Sequence, residues 1–479
     1  MNATPNPFRW LPAAALIVAV VTGFRIVMMG WNQTDLFVDE VQYWLWGQDI
    51  DFGYYSKPPL IAWVIRAMTE IAGSDAPFWV RLPAPLFHAV TAMILGAAAQ
   101  ALWAGRAGVC AAALYITLPI ISVGSFLIST DTIMFPFLSG ALMFWFAMLK
   151  RPSGKLALAA GALLGVAALA KYAAVYYILC AGLAAVFVPA ARPTLRQAGL
   201  ALAAFLVVLS PNIIWNIANG LSTVQHTLDN ADWVRDPATR AGLNFAGLAE
   251  FFGAQFIVFG PILFTGLLWL LIRWSPQNRS LLLFSLPIVA LVCLQALLSN
   301  AYANWAAAAY LAGTLVIVPL VLRHRWTLWA SLALHSAFAL FVPIAAMKAQ
   351  DITVGEGRLL MARYLGRVQM SEAIMGAARD EGLKTIVVKN RDLLADLFYT
   401  GRDSGLTFHA PPPKGRAANH YELSFPLPSD ATGEVLFVIR PDFAPTCAGA
   451  PLRILAPEEG AYRGQSFGLY QTPASCPAQ

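Results

Sequence analysis

Between Leu11 and Val342 the chain is a succession of apolar segments of about twenty residues, each long enough to cross a hydrocarbon layer roughly 30 Å thick. Inside lipid a backbone must satisfy its own hydrogen bonds, so these segments are helices rather than loops or open sheet. Composition agrees: 58% of the 479 residues are hydrophobic and only 12% are charged, against roughly 25% charged in ordinary soluble domains. The chain is therefore read as a polytopic α-helical membrane protein. Its net charge of +6 does not point to nucleic acid, because the basic residues fall in short loops between apolar segments, where positive charge fixes membrane orientation. Residues 1–10 carry one basic residue, Arg9, and no Ala-x-Ala site follows, so 12–29 reads as an uncleaved first span.

Loop charge gives a topology. Arg106; Lys150, Arg151 and Lys155; Arg192 and Arg196; Arg273 and Arg279; and Arg323 to Arg325 mark one face, cytoplasmic by the positive-inside rule. Segments 31–81, 129–131, the neighbourhood of Lys171, 217–247 and 299–304 then fall on the outer face. Residues 156–190 are flanked by basic loops on both sides, so they go out and return, with Lys171-Tyr172 at the outer turn. Counting in this way gives about eleven spans, the N-terminus in and the C-terminus out. From Lys348 the composition becomes that of a soluble domain. Residues 385–389 (TIVVK) and 435–439 (VLFVI) read as buried strands, 392–399 as a short helix and 410–415 as a loop. The expected organisation is a transmembrane domain over 1–345 and a small periplasmic α/β domain over 346–479. Cys110, Cys180 and Cys293 lie in apolar segments and read as packing residues. Cys447 and Cys476, in the polar tail, are a possible pair if that tail is outside.

The polar residues with chemical potential collect at the outer ends of the spans: Asp39, Glu40, Lys57, Asp131, Lys171 and Asn304. Asp39 and Glu40 are adjacent, so on a helix their side chains diverge by about 100° and do not share a proton. One faces a cavity while the other caps a helix or pairs with an Arg. An ionised carboxylate can take a proton from a hydroxyl, and Asp39 is favoured as that base over a helix-capping role. Lys57 precedes Pro58 and Pro59, which hold its backbone extended and stiff. Its ammonium suits a phosphate oxygen and would stabilise charge on a departing phosphate; the plainer reading is contact with ordinary lipid headgroups. Asp131 either orients a sugar hydroxyl or caps the next helix. Lys171-Tyr172 either supplies a second cation at the phosphate or snorkels. Asn304-Trp305 either holds sugar or acceptor or forms an interfacial anchor. Aromatic residues of the first loop, Tyr55 among them, suit sugar stacking and an interface belt equally. The histidines have no metal-ligand spacing, so no catalytic metal is expected, and there is no P-loop, dinucleotide fingerprint or nucleophile elbow.

The strings 39–46 (DEVQYWLW) and 53–60 (GYYSKPPL) resemble the first periplasmic loop of GT-C glycosyltransferases, the group of dolichyl-phosphate-mannose protein mannosyltransferases and aminoarabinose (lipid A) transferases. Segments 169–172 (LAKY), 210–216 (SPNIIWN) and 304–306 (NWA) are similar to stretches of the same bacterial group. The resemblance implies a polyprenyl-phosphate-sugar donor and transfer at the outer face of the bacterial inner membrane, with inversion at the sugar carbon. It implies Asp39 as the catalytic carboxylate, Lys57 on the donor phosphate and Asp131 as a secondary site residue. The segment between Glu40 and Lys57 departs from the aminoarabinose transferases, which weighs against lipid A as the acceptor.

The function expected is transfer of a sugar from a polyprenyl phosphate to an acceptor hydroxyl on a glycan, lipid or protein, without a cofactor and without nucleic acid. Asp39 is the base and Lys57 and Lys171 are the phosphate ligands. Glu40, Asp131, Tyr55, Tyr172 and Asn304 lie toward sugar and acceptor. The rival class is a secondary transporter or lipid flippase, which would place ionisable residues near mid-bilayer on broken helices. A non-catalytic membrane scaffold leaves the Asp39 and Lys57 strings unexplained.

Overall fold

The computed structural model describes residues 9–231, 242–276, 278–355 and 357–478; the expected outer segment 217–247 lies partly outside them. The chain divides into two compact units. The first comprises Met1–Gly30, Asp51–Ser74 and Phe78–Pro343, and the second Trp31–Ile50, Asp75–Pro77 and Ile344–Gln479. The break in the C-terminal half falls between Pro343 and Ile344. The first-loop segment containing Asp39, however, clusters with the C-terminal residues and not with the helical bundle.

The first unit is helical. Six helices among the described residues are long and apolar enough to cross a membrane: Leu11–Met29, Pro77–Trp103, Thr130–Lys150, Leu195–Ala218, Arg279–Leu298 and Arg325–Met347. A seventh candidate is the pair Phe245–Val258 and Pro261–Ile272, bent by 113°, where Gly260 takes φ +87° and Pro261 starts the next helix. Four shorter apolar helices, Ala107–Thr117, Gly154–Ala170, Tyr172–Phe187 and Ala309–Arg323, fall within the segments from which about eleven spans were expected. The expected break at Lys171-Tyr172 is present: Lys171 ends the Gly154–Ala170 helix in extended conformation and Tyr172 opens a 3-10 turn.

Small residues bring the helix before that break close to its neighbour. The helix Gly154–Ala170 packs between Thr130–Lys150 and Leu195–Ala218. A Cβ on Gly161 would fall on the Ala201 carbonyl, and one on Gly165 would meet Val208 and the Phe205 carbonyl at 2.8–3.0 Å. Association in lipid relies on close backbone approach rather than hydrophobic exclusion, so glycines one turn apart fix this contact.

The second unit contains a five-stranded sheet and a short two-stranded ribbon. The strands are β1 (Thr353–Val354), β2 (Arg358–Leu359), β3 (Thr385–Val388), β4 (Thr407–His409), β5 (Glu434–Ile439), β6 (Arg453–Leu455) and β7 (Phe467–Pro473). The sheet order is β4-β3-β5-β7-β6; β3 runs parallel to β4 and β5, while β7 is antiparallel to β5 and β6. The strands expected at 385–389 and 435–439 are thus parallel neighbours, and the expected helix is Arg391–Thr400. One core cluster gathers Val387, Val435, Phe437, Ile439 and Tyr470. Cys447 and Cys476 are joined as a disulfide in the same layer, and Cys110 and Cys180 are buried free thiols.

Candidate active site

In the first unit, three elements deliver the polar cluster. Ser129 caps the Thr130–Lys150 helix, its hydroxyl accepting from the Thr132 amide, so Asp131 is not the cap but lies in the first turn, where the helix dipole favours a carboxylate. Lys171, from the end of the Gly154–Ala170 helix, places Nζ 2.8 Å from both Asp131 oxygens. Asn304, from the 3-10 turn Ala303–Ala306, donates to Asp131 Oδ2 at 3.0 Å. Three residues separated by up to 173 positions thus converge on one carboxylate. The pair is mostly withdrawn from solvent, with side-chain exposures of 21% and 11% for Lys171 and Asp131. The cluster thus pairs one cation with one carboxylate.

Tyr172 belongs to a second hydrogen-bond network. Its hydroxyl donates to Asn212 Oδ1 at 2.7 Å and accepts from Asn216 Nδ2 at 3.0 Å, while Asn212 Nδ2 reaches the Phe52 carbonyl at 2.7 Å. Asn212 and Asn216 are one turn apart on the Leu195–Ala218 helix and both are buried. Trp215 on that helix donates its indole N–H to Asp51, and a Cβ on Gly53 would run into its ring. Thr223 donates to the Tyr54 carbonyl at 2.6 Å. Together these bonds staple residues 51–54 to the bundle just ahead of Tyr55 and Lys57. Tyr55 is half-buried against the His226 ring at 5.2 Å, and Lys57 is half-buried, its carbonyl accepting from the Tyr54 amide. The string 210–216 thus carries a loop anchor, which the sequence marked only as a resemblance.

In the second unit, Asp39 and Glu40 divide as adjacent helical residues must. Glu40 is 1% exposed and turns back, its Oε2 accepting from the Phe37 amide at 2.9 Å. Through that bond it caps its own helix, Val38–Gln48. Asp39 is half-exposed, with Oδ1 2.9 Å from Arg391 Nη2. The same guanidinium donates to Gln42 Oε1 from Nη2 at 2.9 Å and from Nε at 3.3 Å. Burial acts to lower the Arg391 pKa, but the Asp39 charge and hydrogen bond outweigh it and the net shift is upward. Farther along, Trp44 donates to Asp75 Oδ1 at 2.9 Å and meets the Tyr399 ring edge-on at 5.0 Å. Arg391 and Gln42 escaped the sequence reading: 352 residues separate Arg391 from Asp39, and no local pattern links them. Among the described residues no group of His, Cys, Asp and Glu could hold a metal ion.

Comparison with known proteins bears on what these clusters serve. The profile of the dolichyl-phosphate-mannose-protein mannosyltransferase family matches residues 56–215. Over 471 residues the chain is 41% identical to the lipid A galacturonosyltransferase RgtD of Rhizobium johnstonii, covering 96% of this chain and 98% of that protein. In fold it is similar to ArnT from Cupriavidus metallidurans. The apo structure gives a TM-score of 0.63 at 13% identity over 96% of this chain and 98% of that one. The undecaprenyl-phosphate-bound structure gives 0.63 at 14% over 95% and 97%. The chain belongs to the family of GT-C membrane glycosyltransferases represented by RgtD, and it shares the fold of ArnT. It is an enzyme that transfers a glycosyl group, and the transporter and scaffold readings fall away.

Proposed function

We propose that this enzyme transfers a galacturonosyl group from a polyprenyl phosphate to a hydroxyl of lipid A, at the periplasmic face of a bacterial inner membrane. The observation that carries the reading is the identity with a lipid A galacturonosyltransferase along nearly the whole chain. It outweighs the departure between Glu40 and Lys57 that pointed away from lipid A. The Cys447–Cys476 disulfide supports an oxidising compartment for the second unit, consistent with the orientation derived from loop charge.

In this reading Asp39 takes the proton of the acceptor hydroxyl. The oxygen forms its bond to the anomeric carbon as the bond to the phosphate oxygen breaks. The electron pair leaves with the polyprenyl phosphate, and the anomeric centre inverts. Lys57 binds the donor phosphate and stabilises the charge it acquires. The Lys171–Asp131–Asn304 cluster supports the donor side, Lys171 supplying a cation already shared with Asp131. Tyr55 offers a ring to the sugar, and Tyr172 acts through the loop it anchors.

The test is transfer in proteoliposomes supplied with radiolabelled polyprenyl-phosphate galacturonic acid and lipid A. Wild type should yield labelled lipid A, Asp39→Asn none, and Lys57→Ala little at low donor. Full transfer by Asp39→Asn would remove Asp39 from the chemistry. Labelling from another polyprenyl-phosphate sugar alone would reassign the donor.

A further inference from the structure

We infer that Arg391 is a positioning residue for glycosyl transfer, holding the Asp39 carboxylate in its working orientation, and that through it the C-terminal domain orients the first-loop helix. The inference rests on the reading of Asp39 as the base. Arg391 is the first residue of the helix Arg391–Thr400, whose start is fixed by Asn390: its Oδ1 accepts from the Asp392 and Leu393 amides at 2.9 and 3.0 Å. From this base the guanidinium forks onto Asp39 and Gln42, which are three apart and so share one face of the Val38–Gln48 helix. A planar guanidinium fixes both partners in direction as well as distance, which an ammonium does not.

The arrangement leaves the carboxylate usable. Arg391 occupies Oδ1, and among the described residues no hydrogen-bond donor is paired with Oδ2, which can receive the hydroxyl proton. The far end of the same C-terminal helix holds the first-loop helix at a second place. Tyr399 donates to the Asp75 carbonyl at 2.6 Å and packs against Trp44, whose indole binds the Asp75 carboxylate. One helix of the C-terminal domain therefore grips the Asp39 helix at two points along its length. A solvent-accessible ion pair adds little to folding stability: side-chain exposures are 36% for Arg391 and 51% for Asp39. The consequence of the pair lies in geometry.

The experiment uses the full chain in proteoliposomes with polyprenyl-phosphate galacturonic acid and lipid A, comparing Arg391→Ala, Arg391→Lys and Asp39→Asn. Misplacing a reacting group by about 1 Å can cost roughly 100-fold in rate. Arg391→Ala should accordingly lose about 10- to 100-fold in kcat, with donor KM and melting temperature nearly unchanged. Added guanidinium ion should restore part of that kcat, and Arg391→Lys should fall between. Unchanged kcat in Arg391→Ala, a raised donor KM at full kcat, or a loss that tracks melting temperature and resists guanidinium would each overturn the positioning role. Activity retained by Asp39→Asn would overturn the base reading itself. An inactive Asp39→Asn beside a fully active Arg391→Ala would leave that reading standing and remove only the role of Arg391.

Discussion

Lys171 and Asp131, forty residues apart in sequence, meet with the ammonium 2.8 Å from each carboxylate oxygen. Sequence reasoning offered them as separate ligands, one for phosphate and one for sugar or acceptor. Their pairing makes each the other's main electrostatic partner, with Asn304 closing the cluster. The helix Gly154–Ala170, which ends at Lys171, sits against Leu195–Ala218 through Gly161 and Gly165.

The first prediction concerns that pair. Asp131→Asn and Lys171→Met each leave a mostly buried charge without its partner, whereas the double variant leaves none. The double variant should therefore be less impaired than the sum of the singles, with a coupling of roughly 1–3 kcal/mol. Transfer kinetics and thermal melts of the four proteins measure it. Simple additivity would mean that the two residues act independently.

The bundle contact predicts a second outcome. Gly161→Val drives a side chain into the Ala201 backbone, and overpacking of this kind typically costs about 1–3 kcal/mol or more. It should lower the melting temperature in detergent and reduce transfer by moving Lys171. Gly23→Ala is the control, because nothing lies within 4 Å of a Cβ there. Equal behaviour of the two variants would contradict the proposed close approach.

The disulfide gives a third. Cys447 and Cys476 close a loop across 29 positions in the sheet layer of the second unit. Replacing both by Ser should destabilise that unit by roughly 2–4 kcal/mol, and reductant should do the same to wild type but not to the variant. Chemical denaturation followed by tryptophan fluorescence reports it.

The fourth concerns pH. His420 is buried with its ring edge-on to Trp46 at 5.6 Å. Burial first, then the Arg391 charge, lowers its pKa from 6.5 to about 3. The unfolded chain thus binds a proton that the folded chain refuses, so this residue's contribution is lost as pH falls below 6.5 toward 3. Asp396, pushed up to about 7 by burial against the opposing pull of Arg367 and Tyr462, acts in the other direction and favours the fold as pH falls. The comparison that isolates His420 is therefore wild type against His420→Asn. Between pH 7 and pH 5 the variant should escape a loss of roughly 2 kcal/mol that wild type suffers. Parallel melting-temperature profiles would show that His420 is protonated in the folded state.

Much of the architecture was legible because it is written in local pattern. Apolar runs specify helices wherever lipid forbids unsatisfied backbone, and β-branched runs at 385–389 and 435–439 specify strands wherever they occur. The turn at Lys171 followed from charge on either side of a segment too long for one crossing. The adjacency of Asp39 and Glu40 already required that they part.

Sequence by itself determined the membrane class, the soluble tail and the residues from which a site could be made. Only the tertiary structure decided how those residues are employed. Tyr172 anchors a loop, Lys171 is matched to Asp131, and Asp39 is held by Arg391. The physical reason is that each assignment depends on a partner 40 or 352 positions away. Periodicity and propensity act within a few turns of chain, whereas an ion pair at 2.9 Å between residues 39 and 391 exists only after the intervening helices and sheet have folded.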